Sequence, residues 1–220
     1  RGAAPVLFFR LSAGLLQQND IVTITYGARS QGGGGLLMPT FSSDRMPFPL
    51  YVDFDGNGPL YSLPIQPIRV IGAAVDGVHG FAPSVVRPGE SFTLAVRAQD
   101  AYYNRASGSI PGWQVFYKDQ VIATLSTGEE ALQTVEGIQF QDEGVVRLSI
   151  RSADGAITGK VNPILVSADA QRIYWGDTHG HSGFAEGIGT PERFMSWAKE
   201  DARLDFVTHS EHDIWLDDSE

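Results

Sequence analysis

The chain has 220 residues, 42% hydrophobic and 19% charged, a composition typical of one or two globular domains. Its formal net charge of −10 argues against a nucleic-acid partner, because phosphate backbones are bound by clustered basic side chains. No apolar run reaches about 18 residues, so no membrane span is expected. Cysteine is absent, so any metal site must use His, Asp and Glu.

Residues 1–168 are predicted to form β structure, because Gly and Pro separate short alternating apolar runs. We predict strands over 21–26, 91–98, 113–117, 121–125 and 144–150, the third and fourth forming a hairpin. Prolines at 64 and 67 interrupt the pattern and indicate a boundary. We therefore expect an N-terminal β module over 1–66 and an immunoglobulin-like β-sandwich over 67–168.

After residue 170 the pattern changes to strand, helix and strand. A strand is predicted over 172–179 and a second over 204–208. Between them, Thr190 and Pro191 indicate a helix start, because Thr is a good N-cap and Pro suits the first helical position. Such a βαβ unit has parallel strands, so the residues that follow each strand lie at one edge of the sheet.

Histidines follow both of these predicted strands. His179 and His181 come at the end of the first, and their i, i+2 spacing puts two imidazoles on one face of an extended chain. His212 follows the second strand. Neutral imidazole is a good ligand for zinc, iron and manganese, so we predict that these three histidines bind metal.

More than one interpretation stays open for each of five nearby side chains, namely Asp177, Glu186, His209, Glu211 and Asp213. Asp177 either orients a ligand imidazole or caps the turn at the strand end. Glu211 and Asp213 either orient the histidine between them or bind a second ion. Glu186 is a ligand or a solvated loop residue. His209 is a ligand, or it packs beneath the site or lines the substrate pocket.

Three motifs in this region resemble the polymerase-and-histidinol-phosphatase (PHP) superfamily, and in particular its branch with N-terminal β modules. They are Gly-Asp-Thr-His-Gly-His-Ser at 176–182, Glu-Gly-x-Gly-Thr-Pro-Glu at 186–192 and Leu-Asp-Phe-Val-x-x-Ser-Glu-His-Asp at 204–213. By this resemblance, His179, His181 and His212 match family metal ligands. Glu186 and Glu211 stand where the family usually has Asp.

The resemblance implies a distorted (β/α)7 barrel that holds two or three divalent ions of zinc, manganese or iron. These ions would activate water for hydrolysis of a small, phosphorylated substrate. Ligand histidines must be neutral, so activity is expected to fall on acidification through about pH 6. Further ligands would come from later strands, supplied by the same or another chain. The 220-residue chain alone is therefore expected to be inactive.

The predicted fold class is thus mainly β, with immunoglobulin-like sandwich modules followed by the first βαβ unit of a truncated PHP-type barrel over 171–220. The predicted function is metal-dependent hydrolysis, most often of a phosphoester. The style of the β modules suggests a periplasmic or secreted protein. The alternative is a β-sandwich binding or structural protein with a partial or degenerate metal domain.

Overall fold

The computed structural model describes residues 7–30, 32–185, 187 and 189–212. Internal contacts divide the chain into two units, 1–38 and 39–220. The described part of the first unit contains no strand, so the predicted strand over 21–26 is wrong. Ile21 is 87% exposed, and an alternating apolar pattern cannot form a strand unless another strand satisfies its backbone hydrogen bonds.

Sixteen strands lie among the described residues of the second unit: β1 (Ser43–Met46), β2 (Leu50–Val52), β3 (Tyr61–Leu63), β4 (Ile68–Val70), β5 (Gly77–Phe81), β6 (Val85–Val86), β7 (Phe92–Gln99), β8 (Trp113–Tyr117), β9 (Gln120–Leu125), β10 (Leu132–Ile138), β11 (Gly144–Val146), β12 (Leu148–Ser152), β13 (Thr158–Val161), β14 (Ile164–Val166), β15 (Gly176–Asp177) and β16 (Phe206–Val207). The helix α1 (Pro191–Ser196) continues as a π-helical turn over Trp197–Asp201. No helix in the described ranges has the length and apolar character needed to cross a bilayer.

Two sheets form a sandwich. The larger has seven strands in the order β10-β7-β5-β13-β12-β8-β9, and the smaller has the order β11-β14-β6. Leu94, Trp113 and Ile150 of the larger sheet are fully buried in one cluster with Val86 and Ile164 of the smaller sheet. A shared core between two sheets defines this architecture, so the prediction of a mainly β fold with a sandwich is confirmed.

The hairpin of β8 and β9 forms as predicted, but the predicted strand over 144–150 is two strands in different sheets. The chain leaves the smaller sheet at Val146 and enters the larger at Leu148, with Arg147 between them. Val146 and Leu148 are both buried. Inward and outward residues therefore alternate without a break across the change of sheet, which is why the pattern alone could not reveal it.

A buried carboxylate organises the loop after β7. Asp100 is 3% exposed and accepts hydrogen bonds from the backbone N–H groups of Ala73, Tyr102 and Asn104, and from the Asn104 side chain. Burial raises the pKa of Asp100, but these hydrogen bonds lower it by more, so the pKa lies below its usual value. The carboxylate is therefore ionised at neutral pH and holds the loop closed.

We expect Asp100→Asn to lower the free energy of unfolding at pH 7 by about 2–3 kcal/mol, because an amide presents only one acceptor oxygen to these donors. The folded pKa is the lower one, so the carboxylate stabilises the fold above about pH 4 and loses this effect as the pH falls through the folded pKa. Urea unfolding at pH 7 and pH 3 measures both effects. The exposed Asp119→Asn is the control, and a difference from wild type that is equal at both pH values would contradict the account.

The C-terminal segment consists of two short parallel strands with the helix between them. Gly176 pairs with Phe206 and Asp177 with Val207. The helix start is as predicted, because Thr190 Oγ1 accepts the Arg193 N–H at 3.3 Å. The strands are shorter than predicted, at two residues each. Each of the two strands pairs only with the other among the described residues. The described residues therefore do not form a barrel.

Several contacts fix the base of this segment to the sandwich. The Asp201 carboxylate forms an ion pair with Arg105, and the Asp201 carbonyl oxygen accepts a hydrogen bond from Arg97 Nη1 at 2.5 Å. Trp175 Nε1 donates to Ser84 Oγ at 2.7 Å. These contacts lie just before β15 and at the end of the helix, so the sandwich holds the edge opposite to the strand ends that carry the histidines.

Asp201→Asn is expected to destabilise the C-terminal segment by about 1–3 kcal/mol, because Arg105 then loses a sheltered anionic partner, while the backbone contact with Arg97 remains. Hydrogen exchange should become faster in the helix and at β16, while the sandwich core stays protected. Glu200→Gln is the matched control, since that carboxylate is 54% exposed and lies 3.4 Å from Arg105. Equal exchange in Asp201→Asn and the control would show that the contact is not what fixes the segment.

Candidate metal centre

The two histidines after β15 face each other through their ring nitrogens. His179 Nε2 lies 3.0 Å from His181 Nε2, and the ring planes meet at 83°. Two nitrogen ligands at about 2.1 Å from one cation, at roughly a right angle, would lie about 3.0 Å apart. The same distance also suits an N–H···N hydrogen bond. Which of these applies depends on where the imidazole protons are.

The other ring nitrogen of each histidine faces an oxygen from the residues after β16. His179 Nδ1 lies 3.1 Å from Ser210 Oγ, which also accepts the Gly180 N–H at 3.2 Å. His181 Nδ1 lies 3.8 Å from Glu211 Oε2, and both of these atoms are buried without a hydrogen-bond partner. In metal-binding histidines the second ring nitrogen commonly donates a hydrogen bond to such an oxygen. The distance from His179 to Ser210 is that of a hydrogen bond, whereas the distance from His181 to Glu211 is longer than one.

His179, His181, Ser210 and Glu211 form a cluster at the strand ends, in which Glu211 is the most strongly held side chain. Its Oε1 accepts the Ser182 N–H at 2.6 Å and is also in contact with His209 Nε2. Burial raises the pKa of Glu211, but the hydrogen bonds from Ser182 and the contact with His209 outweigh it, and the net pKa is lowered. The cluster therefore contains a sheltered carboxylate that is ionised at neutral pH.

The remaining predicted residues take different positions. The His212 ring stacks on the His181 ring, with centroids 4.5 Å apart. Asp177 Oδ1 accepts the backbone N–H of His179 at 3.1 Å, which corresponds to the turn-capping interpretation. The His209 ring packs against Phe194 at 5.6 Å between centroids, which corresponds to packing beneath the site. Glu186 and Asp213 lie outside the described residues.

The donors fit a divalent cation in their chemistry, since neutral imidazoles and a carboxylate are what zinc, manganese or iron would bind. The fit of the geometry is partial. No group of three or more His, Asp or Glu residues in the described part of the chain is close enough around one point to hold an ion. The structure thus supplies one pair of facing imidazoles, His179 and His181, with side-chain oxygens of neighbouring residues beside them.

Sequence reasoning did not predict the roles of two serines and a glycine. The position of Ser210 near the site could have been predicted, because Ser210 precedes His212 by two residues and shares its face on an extended chain. Ser182 acts through its backbone N–H, which leaves no sequence signal. Gly180 allows the helix to approach, because a Cβ there would lie 2.3 Å from Phe194 Cζ.

No family model matches the chain. It is similar to an uncharacterized protein of Chlamydia trachomatis, with 25% identity over 191 residues that cover 84% of this chain and 30% of that protein. A protein of Chlamydia pneumoniae, also uncharacterized, is 24% identical over 207 residues, which cover 89% of this chain and 33% of that protein. The chain therefore spans about a third of the length of the curated relatives it matches.

Among solved structures, a CARDB domain from Pyrococcus furiosus aligns with a TM-score of 0.34 and 12% identity, covering 42% of this chain and 94% of that one. The PKD domain of an M14-like peptidase from a Thermoplasmatales archaeon aligns with a TM-score of 0.28 and 12% identity, covering 43% and 99%. Strand pairing within each sheet and a core shared between the two sheets define the sandwich.

Proposed function

We propose that this chain carries part of a metal-dependent hydrolase of the PHP type, most often a phosphoesterase, whose metal ions are held at the ends of β15 and β16. One observation supports this most directly. The Nε2 atoms of His179 and His181 converge to 3.0 Å, while the Nδ1 of each ring faces an oxygen of Ser210 or Glu211. We also propose a periplasmic or secreted location, from the style of the β modules alone.

The surrounding oxygens argue for a cation between the two rings. We assign the proton of the contact between Ser210 and His179 to Nδ1, with the Ser210 hydroxyl donating to the Gly180 carbonyl oxygen, which lies 3.4 Å away. The ionised Glu211 beside His181 Nδ1 favours a proton there too. Both Nε2 atoms then present lone pairs to each other. Two facing lone pairs repel unless a positive charge lies between them.

The residues of the cluster have separate tasks in this proposal. His179 and His181 bind the cation, and Ser210 and Glu211 hold the two rings in the tautomer that leaves Nε2 available. When bound, the cation supplies the positive charge that activates water and neutralises phosphate oxygens. His212 stacks against the pair and is a proposed further ligand. Glu186, Asp213 and residues of later strands, from this or another chain, are proposed to complete the site.

A second function has one observation in its favour. The sandwich has a complete core of its own, whereas the C-terminal segment leaves Trp175 62% exposed and Phe206 48% exposed. A binding or structural protein would need only the sandwich, with the C-terminal segment as a partial or degenerate metal domain. The two functions differ in whether the intact protein binds metal ions.

Elemental analysis of the intact purified protein tests the proposal. We expect two or more transition-metal ions per chain after removal of loosely bound metal. Hydrolysis of a small phosphomonoester should depend on these ions and stop when a chelator removes them. Protein that is folded but binds no metal under metal-supplemented conditions would favour the binding or structural function instead.

A further inference from the structure

A cleft of about 450 Å³ lies between the sandwich and the C-terminal segment. Residues of β5, β6 and β7 form one wall, and residues 172–175 and 202–205 form the other. Its volume is within the range of small-molecule sites, roughly 300–1,000 Å³. The second wall precedes β15 and β16, whereas the histidines follow these strands, so the cleft is separate from the candidate metal centre.

The indole of Trp175 is held in a fixed orientation at this cleft. Its Nε1 donates to Ser84 Oγ at 2.7 Å, its backbone N–H donates to Asp205 Oδ2 at 2.7 Å, and its carbonyl oxygen accepts the Asp205 N–H at 2.7 Å. Trp175 is nevertheless 62% exposed. A large aromatic face that is already ordered loses little conformational entropy when a ligand covers it, so it favours stacking of a planar ring.

Arg203 supplies a cation without a partner at the same cleft. Arg172 also lines the cleft, but its guanidinium forms an ion pair with Glu90. The lining carboxylate of Asp205 accepts the Trp175 N–H. Arg203 is exposed and has no hydrogen bond or ion pair with any described residue. A free guanidinium matches a carboxylate, because its planar fork can bind both oxygens of that group.

The backbone of Arg203 indicates that folding alone does not select this side chain. Arg203 follows Ala202, the C-terminal cap of the π-helical turn, and has a φ of 55°. Glycine usually occupies this left-handed position, because a residue with a Cβ is strained there. A strained residue whose charged group has no partner among the described residues is typical of a binding site.

We propose that this cleft binds a small organic monoanion that carries a planar ring and a carboxylate. The ring stacks on the Trp175 indole, and the carboxylate pairs with the Arg203 guanidinium. Such a ligand covers the exposed aromatic face and neutralises the free cation, so each of its two parts has a counterpart in the cleft. This site is independent of the proposed metal-dependent hydrolysis, and either can stand without the other.

Three small probes test the intact protein in titrations followed by saturation-transfer NMR. Cinnamate has both parts of the ligand, cinnamyl alcohol lacks the charge, and cyclohexanepropionate lacks the planar ring. We expect cinnamate to bind with a dissociation constant in the millimolar range or below, as suits a ligand of its size. Each of the other two should bind more weakly by at least about tenfold, because it loses either the ion pair or the stacking.

Arg203→Gly separates binding from folding. It removes the cation and places glycine where the backbone favours it, so cinnamate binding should weaken about tenfold while the Tm rises by about 2–4 °C. Lys118→Gly is the matched control, because Lys118 has the same φ of 55°, is exposed and does not line the cleft. It should bind cinnamate as wild type does. Trp175→Ala should also weaken binding about tenfold, and thermal unfolding verifies its fold.

The possible results decide for or against this ligand. Weaker cinnamate binding with a raised Tm in Arg203→Gly, together with wild-type affinity in Lys118→Gly, would support the proposal. No measurable cinnamate binding by wild type would overturn it, and so would equal binding of cinnamate and either analogue. Unchanged affinity in Arg203→Gly would do the same. A loss of affinity with a lower Tm in that variant would assign the arginine a structural role and also overturn the proposal.

Discussion

The variant in which both His179 and His181 are replaced by alanine is expected to lose at least about 100-fold in affinity for zinc. The two Nε2 atoms converge to 3.0 Å, so the variant removes the one facing pair of donors in the described residues. If the proposed function holds, phosphoester hydrolysis by the intact protein should fall by about a thousandfold, because the activating charge is lost with the metal. Dye competition measures the affinity, and initial rates measure the hydrolysis.

The control for this variant is Asp177→Asn. Asp177 accepts the backbone N–H of His179, and an asparagine oxygen can accept the same hydrogen bond. The control should therefore keep zinc affinity within about threefold of wild type. A double alanine variant that retains wild-type zinc affinity would contradict the assignment of the pair as ligands. A large loss in Asp177→Asn would instead show that Asp177 acts on the metal.

Trp113→Ala is expected to lower the free energy of unfolding by about 3–5 kcal/mol, enough to unfold much of the sandwich at ambient temperature. Trp113 is 0% exposed, in the core shared by the two sheets, so truncation leaves a large cavity. The buried Trp113 Nε1 has no hydrogen-bond partner. Trp113→Phe keeps most of the apolar volume and removes this unpaired N–H, so it should cost only about 1–2 kcal/mol.

Urea unfolding followed by far-ultraviolet circular dichroism measures both tryptophan variants without relying on indole fluorescence. Val121→Ala is the control, because Val121 lies on the edge strand β9 and is 47% exposed. It should change stability by about 0.5 kcal/mol or less. If Trp113→Ala were as stable as this control, the core described here would be incorrect.

The β region shows which sequence patterns could predict structure. Local patterns were sufficient for β7, for the β8–β9 hairpin and for the helix start at Thr190, because alternation and capping act over a few residues. They failed over 21–26, where no strand of the described residues pairs with the segment. They also failed at Arg147, where the chain changes sheet without disturbing the alternation. Partner strands and sheet changes depend on distant residues.

In the candidate site, too, local patterns could be predicted and contacts between distant residues could not. The i, i+2 spacing was enough to predict that His179 and His181 lie side by side. It could not reveal that Glu211 is held by Ser182 and His209, because those contacts depend on how the two strand ends meet. The sequence left Asp177 with two interpretations, and its hydrogen bond to a backbone N–H corresponds to one of them.

X-ray absorption at the zinc edge of the intact, zinc-loaded protein tests the central claim most directly. We predict imidazole nitrogens at about 2.0–2.1 Å from the metal, with the outer-shell scattering that histidine rings give. This imidazole signal should decrease when His179 and His181 are both replaced by alanine. A shell of oxygen ligands alone, or an imidazole signal unchanged in the double variant, would contradict a metal centre built on these two histidines.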